Sequence, residues 1–153
     1  MKRRDFNLRL EDAVAYGVYL HESELTDAEV VAKLDEIQQA FLAETGLSAE
    51  QALEAAREIS GHKFKLLSRR DLPESEVRRL HEEKVLLGFS HLIDEGTLEI
   101  YFAQYCLRFG SHEEARAVLA QLSEKAKDIS AGPPNVRRQL QRDVSRALGQ
   151  IPS

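Results

Sequence analysis

The chain has 153 residues, of which 31% are charged and 42% are hydrophobic, and its formal net charge is −5. A chain of this length fits one domain and buries roughly 70% of the surface that it exposes when unfolded, so it needs no disulfide or metal for stability. Its single cysteine, Cys106, excludes a disulfide framework within the chain. We expect no membrane span, because no apolar run approaches the roughly 18 residues that one requires. Since no apolar stretch follows the basic start, we also expect no secretory signal. The sequence therefore predicts a cytoplasmic protein with a single helical domain over residues 1–153.

Charge is distributed unevenly along the chain. Residues 11–60 contain twelve acidic residues against only Lys33 and Arg57. Residues 61–70 carry a net charge of +4, and residues 131–153 carry +3. Segregated charge creates a directional field, which attracts partners of opposite sign. Acidic and basic helices that pack beside each other are the simpler interpretation of the same pattern.

Helix signals begin near the N-terminus. A first helix is predicted over about residues 10–21, where a strand is also possible. Residues 26–29 and 48–51 have the sequence of capping boxes, which satisfy the first free N–H groups of a helix. The two helices that they open are expected to end at Gly46 and at residues 60–61, since glycine favours a helix end.

The middle of the chain contains the most apolar segments. Residues 62–70 are predicted to be a loop or a frayed helix. A helix then begins after Pro73, runs to about Ile93 and ends at Gly96, and Thr97 is expected to cap the next helix. Proline is tolerated in the first turn of a helix, which supports the start of this segment.

Two predicted helices, about residues 74–93 and 97–109, are apolar around much of their circumference. A helix of this kind is buried on several sides, so the two are expected to form a central hairpin. Ile100 and Leu107 point away from the main apolar stripe, which indicates either internal burial or self-association. The sequence thus predicts an all-α fold of six to seven helices in an orthogonal or bundle-like packing around this hairpin.

The segment 102–122 resembles one helix-turn-helix joint of the tetratricopeptide repeat family. The residues that carry the resemblance are Tyr101, Ala103, Tyr105, Gly110 and Ala115. No second copy is found at the period of about 34 residues, and an array of such repeats needs at least about three. The resemblance therefore implies a helical hairpin here, while a full array, which would imply peptide binding in a concave groove, is disfavoured.

The last helix follows a linker-like break at residues 131–134. Its apolar residues, among them Leu140 and Val144, recur on one face. Arg138, Arg142 and Arg146 lie on the opposite face. Three aligned guanidinium groups can bind carboxylates or phosphates through paired hydrogen bonds. The favoured target is the acidic region of residues 11–60, in the same chain or in a second copy, because the net negative charge of the chain repels polyanions such as nucleic acid.

The sequence contains no recognisable catalytic or metal-binding motif. Its five histidines lack HExxH or Glu-x-x-His spacing, and CxxC is absent. A glycine-rich phosphate loop and a Gly-x-Ser-x-Gly elbow are absent as well. We therefore expect no metal, no cofactor and no enzymatic activity, and an all-helical enzyme with dispersed site residues stays an alternative.

These observations favour a protein-interaction module that acts as an adaptor, chaperone or regulator. Its contact surface is predicted in the acidic helices of residues 11–60, which would steer a basic partner. The candidate partner-binding residues are Glu22, Glu24, Asp27, Asp35, Glu36, Arg138, Arg142 and Arg146. The alternative is nucleic-acid binding through the basic clusters at residues 63–70 and 137–146, although nucleic-acid-binding domains are usually basic overall.

Overall fold

The computed structural model describes residues 1–69, 71–89 and 91–152, with Arg69 described through its backbone alone. Over these residues the regular structure is helical throughout, which confirms the predicted all-α fold. The α-helices are α1 (Arg3–Glu22), α2 (Asp27–Leu42), α3 (Ala49–Phe64), α4 (Glu74–Leu87), α5 (Leu92–Arg108), α6 (His112–Lys127) and α7 (Pro134–Gly149). Two 3₁₀ segments, Lys65–Arg69 and Ile129–Ala131, complete the set. Nowhere in the described ranges does a helix have the length and apolar character needed to cross a membrane.

The contacts divide the chain into two compact units, Met1–Gly88 and Phe89–Ser153. The first unit contains α1 to α4, and the second contains α5 to α7. The central hairpin expected from the sequence would pair α4 with α5, which belong to different units. Within its own unit, α4 packs on α3, whereas α5 packs on α6 and α7. The single domain over residues 1–153 stays a prediction.

In the first unit, α3 is the helix that contacts α1, α2 and α4. Phe6 of α1 meets Phe41 of α2 edge to face, with 5.8 Å between the ring centroids. Ala55 and Ile59 of α3 are buried against this pair. Edge-to-face ring packing adds to the free energy gained from burial alone, so these four residues fix the arrangement of the first three helices.

Both predicted capping boxes are present. The hydroxyl of Thr26 accepts a hydrogen bond from the N–H of Glu29, whose carboxylate accepts one from the N–H of Thr26. Ser48 and Gln51 make the same reciprocal pair at the start of α3. By contrast, α1 begins at Arg3 without a capping side chain. The predicted helix over about residues 10–21 was therefore too short, and the possible strand there is wrong.

The expected end of α3 at residues 60–61 is also wrong. The helix continues through Gly61 to Phe64 and passes directly into the 3₁₀ segment Lys65–Arg69. Leu66 and Leu67 are fully buried in this extension. Burial therefore holds these turns in helical form, although a glycine disfavours the interior of an isolated helix.

The boundary between α4 and α5 differs from the prediction. α4 ends at Leu87, where Gly88 has a left-handed φ of 73°, and α5 begins at Leu92. The predicted stop at Gly96 and the cap at Thr97 are wrong, because both residues lie inside α5. Gly96 packs there against α7: a Cβ at this position would lie 2.5 Å from Cδ1 of Leu140, so the leucine side chain would have to shift.

The apolar residues of these two helices differ in their environment. Phe102 and Cys106 of α5 are buried, as expected. At the end of α4, however, Leu86 is 85% exposed and Val85 is 62% exposed. The expectation of burial on several sides therefore holds for α5 and fails for the last turn of α4.

The second unit is a helical hairpin, α5 and α6, on which α7 packs. At the joint, Gly110 has a φ of 82°. The N–H of Ser111 bonds the carbonyl of Cys106 at 2.8 Å, and the N–H of Gly110 bonds that of Leu107 at 3.1 Å. This is the Schellman motif, which requires a residue that tolerates a left-handed backbone. The hairpin that the glycine at the turn predicted is confirmed.

Candidate protein-binding site

α1 presents apolar side chains to solvent as well as to the core. Phe6, Gly17 and Leu20 face inward and are buried. On the opposite side, the large exposed apolar side chains are Leu8, Tyr16, Val18 and Tyr19. At about 100° per residue, these four fall within an arc of about 160°. The core of the unit does not account for this second apolar surface.

The two tyrosines on this surface form a defined pair. The rings of Tyr16 and Tyr19 stack with 6.0 Å between their centroids and 18° between their planes. Tyr19 is nevertheless 63% exposed. Tyrosine is enriched at protein interfaces because it offers a large amphipathic contact area with few rotatable bonds. The pair is therefore a suitable anchor for a protein partner.

Three exposed acids lie on the same side of α1 as the tyrosines. Glu11, Asp12 and Glu22 make no side-chain hydrogen bond or ion pair with any other residue that the structure describes. Glu54 of α3 differs, since Arg3 neutralises it at 2.8 Å. We call the set Leu8, Glu11, Asp12, Tyr16, Val18, Tyr19 and Glu22 the α1 outer face. It combines an apolar centre with carboxyl groups that are exposed to solvent.

Asp35, a candidate from the sequence, lies instead inside the first unit. The ammonium group of Lys63, which is only 2% exposed, donates to Asp35 at 2.9 Å and to Glu83 at 2.8 Å. It also donates to Gln38, and Arg79 donates to Asp35 at 2.9 Å. Burial raises the pKa of Asp35, but the hydrogen bonds from Lys63 and Arg79 outweigh burial and hold this pKa below its ordinary value. Asp35 is therefore an ionised structural group that joins α2 to α3 and α4.

The same network changes the interpretation of the basic cluster at residues 63–70. Lys63 is buried and paired, so it is not part of a surface that could contact nucleic acid. Lys65 is exposed. The side chain of Arg69 and the whole of Arg70 lie outside the described residues. Among the described side chains of this cluster, Lys65 is therefore the only basic one that is exposed.

The remaining acidic candidates occupy different places. Glu22 is on the α1 outer face, and Glu24 is exposed in the connection that follows α1. Asp27 is half-buried at the start of α2, and Glu36 is exposed further along that helix. The structure thus joins Glu22 to residues that the sequence interpretation missed, Glu11 and Asp12 and the two tyrosines. Their signal was the run of Val14, Tyr16, Val18 and Tyr19, the same residues that leave a strand possible in the sequence.

The predicted arginine stripe is present on α7. Arg138, Arg142 and Arg146 are exposed, while the opposite side of the helix is buried through Leu140 and Val144. Arg142 donates a hydrogen bond to Gln139 at 3.1 Å. Within the described part of the chain, the three guanidinium groups have no ion pair with a carboxylate. We call these three residues the arginine stripe.

A cleft lies beside the stripe, between α5 and α7. Its volume is about 280 Å³. The residues that line it are Thr97, Ile100, Tyr101, Gln104, Asp143, Arg146, Ala147 and Gln150. Ile100, which points away from the main apolar stripe of α5, faces this cleft. Leu107, for which the sequence indicates either internal burial or self-association, is half-buried and does not line the cleft.

His62 of α3 is buried against α1. Its ring lies 5.6 Å from that of His21 and packs on Gly17, where a Cβ would come within 3.0 Å of it. Burial, and then the positive charge of Lys65, lowers the pKa of His62 to about 4. Across the described ranges, no group of three or more His, Cys, Asp or Glu residues is placed to hold a metal ion. His62 is therefore a neutral core residue at physiological pH.

Comparison with known proteins gives no match for this chain. No protein-family model matches, the tetratricopeptide repeat included, and no curated protein or solved structure matches either. The functional argument therefore rests on the α1 outer face and the arginine stripe.

Proposed function

We propose that this chain is a protein-interaction module, and that its α1 outer face binds a cationic segment of a protein partner. The observation that carries this proposal is the stacked pair of Tyr16 and Tyr19, exposed between carboxylates that no described residue neutralises. Action by binding rather than by catalysis, and a cytoplasmic location, are parts of the same proposal.

The chemistry of the face selects the partner. Glu11, Asp12 and Glu22 attract a basic segment over a distance of about one Debye length, roughly 8–10 Å. Arginine suits the centre of the face better than lysine, because a guanidinium group stacks on tyrosine while it pairs with a carboxylate. The partner is therefore expected to present arginines beside an apolar residue.

Photo-crosslinking in the full chain tests the proposal. Tyr19 is replaced by the photoreactive amino acid benzoylphenylalanine, and in a matched protein the exposed Glu58 of α3 is replaced instead. We expect an adduct from position 19 and none from position 58, and we expect the captured segment to carry a net positive charge. Equal adducts from both positions, or a captured segment that is neutral or acidic, contradict the proposal.

The captured protein, once purified, allows a direct measurement of affinity. We expect the triple variant Glu11→Gln, Asp12→Asn, Glu22→Gln to raise Kd about tenfold, because three exposed ion pairs are lost. The control changes net charge equally through Glu50→Gln, Glu58→Gln and Glu82→Gln, which are exposed elsewhere in the first unit. If this control weakens binding as much as the α1 variant, the effect belongs to overall charge and the proposed site is wrong.

A further inference from the structure

We infer that the cationic segment recognised by the α1 outer face is α7 of a second copy of this chain. The inference rests on the proposed function and names its partner. The chain contains both halves of a complementary pair: three acids on α1 and three arginines on α7, none of which forms an ion pair with another residue that the structure describes. Each set is exposed, so each can meet the other set on a different molecule.

The spacing of the charges matches along the two helices. Asp12 and Glu22 are ten residues apart, which is about 15 Å of helix. Arg138 and Arg146 are eight residues apart, or about 12 Å. Arginine side chains are long and flexible enough to cover the difference. When Asp12 is set opposite Arg138, Glu22 therefore comes within reach of Arg146.

The cleft between α5 and α7 fixes the direction of this pairing. It lies at the Arg146 end of the stripe, with Ile100 and Ala147 as apolar lining residues. Tyr19 lies near Glu22, at the matching end of the α1 outer face. A parallel arrangement therefore places the exposed Tyr19 ring at the cleft, where Asp143 can accept its hydroxyl proton in a hydrogen bond. An antiparallel arrangement would place Tyr19 at the other end of the stripe, away from the cleft.

The contact joins two different faces of the molecule. Two copies can form this contact twice in a closed dimer, or further copies can repeat it in an open filament. In either case Ile100 takes part through the cleft, which corresponds to self-association, one of the two alternatives that the sequence indicates for this residue. The assembly is expected to weaken with salt, because its charged groups are exposed.

Charge reversal provides the test, with sedimentation velocity as the measurement. Variant A is R138E/R142E/R146E, and variant B is E11K/D12K/E22K. Each variant alone has two faces of the same sign and is expected to be monomeric where the wild-type chain associates. Mixed together, A and B restore both contacts with opposite charges and are expected to form a complex. The control E50K/E58K/E82K changes charge elsewhere and is expected to self-associate like the wild type.

Other outcomes overturn the inference. If variant A or B alone associates as the wild type does, or if the folded mixture stays monomeric, the two faces do not meet. Circular dichroism confirms that each variant keeps its helices; should one unfold, the neutral set R138Q/R142Q/R146Q replaces it, with self-association expected to weaken about tenfold. Loss of binding to a random DNA duplex with self-association unchanged would assign the stripe to phosphates.

The test separates this inference from the proposed function. A wild-type chain that stays monomeric at every concentration tested rules out the second copy as partner. The α1 outer face would then still be tested by the adduct from position 19, which would identify a different cationic protein. A complex of A and B supports both proposals at once.

Discussion

Gly96 of α5 and Leu140 of α7 pack so closely that a Cβ on residue 96 would lie 2.5 Å from Cδ1 of the leucine. Both residues are buried. The glycine therefore brings α7 onto the hairpin of α5 and α6, and it indirectly positions the arginine stripe that α7 carries on its other side.

Gly96→Ala is expected to destabilise the protein, because close-packed cores resist added atoms at a cost of about 1–3 kcal/mol. The measurement is the free energy of unfolding from urea titration. In the double variant with Leu140→Ala, the loss of unfolding free energy should be smaller than the sum of the losses in the two single variants. The reason is that the shorter side chain leaves the space that the new Cβ needs. Strictly additive effects would show that the two side chains do not compete.

Gly61→Ala is expected to stabilise the protein, in contrast to Gly96→Ala. Gly61 lies inside α3, and a Cβ there would meet no atom of the described residues within 4 Å. Alanine should stabilise the helix by about 0.5–1 kcal/mol, because glycine loses more backbone entropy on folding. A decrease in the free energy of unfolding would mean that the continuous helix through residues 60–61 is wrong.

Lys63→Met should lower the free energy of unfolding by roughly 3 kcal/mol, since it removes the buried cation that Asp35 and Glu83 share and leaves the half-buried Asp35 with Arg79 alone. This is the lower end of the usual range, because the side chains of Asp35 and Glu83 keep 24% and 22% of their surface in water. The exposed neighbour Lys65 is the control, and Lys65→Met should change stability by less than about 0.5 kcal/mol. Equal effects at both positions would contradict the buried network.

Acid should weaken the protein through His62. Its pKa falls from 6.5 to about 4 on folding, so below pH 6.5 the unfolded chain binds a proton that the folded chain does not bind until about pH 4. The free energy of unfolding is therefore unaffected by His62 above pH 6.5, and it decreases by on the order of 3 kcal/mol as the pH falls toward 4. His62→Leu should flatten this dependence of the unfolding free energy on pH. An imidazole signal of His62 that titrates near pH 6.5 in the folded protein would also refute this expectation.

Phe102→Ala should cost about 3–5 kcal/mol, through lost burial and the cavity that remains. Phe102 is 3% exposed on the helix that both α6 and α7 cover. Leu148→Ala on α7 is the comparison, because Leu148 is 37% exposed and should cost far less. Chemical denaturation of both variants measures the difference, and similar values would place Phe102 outside the core.

Local signals in the sequence determined much of the helical framework. Some of these signals act through neighbouring backbone groups, so their effect can be recognised without knowledge of the fold. They are the capping boxes at Thr26 and Ser48 and the turn at Gly110. The amphipathic pattern of the last helix likewise determined which side of α7 faces solvent. A helix with 3.6 residues per turn places Leu140 and Arg142 on opposite faces, whatever the rest of the fold is.

Tertiary contacts decided what short-range patterns could not. Gly61 and Gly96 resemble helix stops in the sequence, yet both lie inside helices. Burial of Leu66 and Leu67 extends the first of these helices, and Gly96 packs against Leu140 of α7. Lys63 belongs to a basic run, but packing of α2, α3 and α4 encloses it among acceptors. The sequence shows the tyrosines of α1 but not whether they are buried. Only the packing of Phe6 and Gly17 against α3 shows which side of α1 is exposed to solvent. Sequence spacing specifies the faces of each helix, whereas the choice of the face that is buried depends on residues distant in the chain.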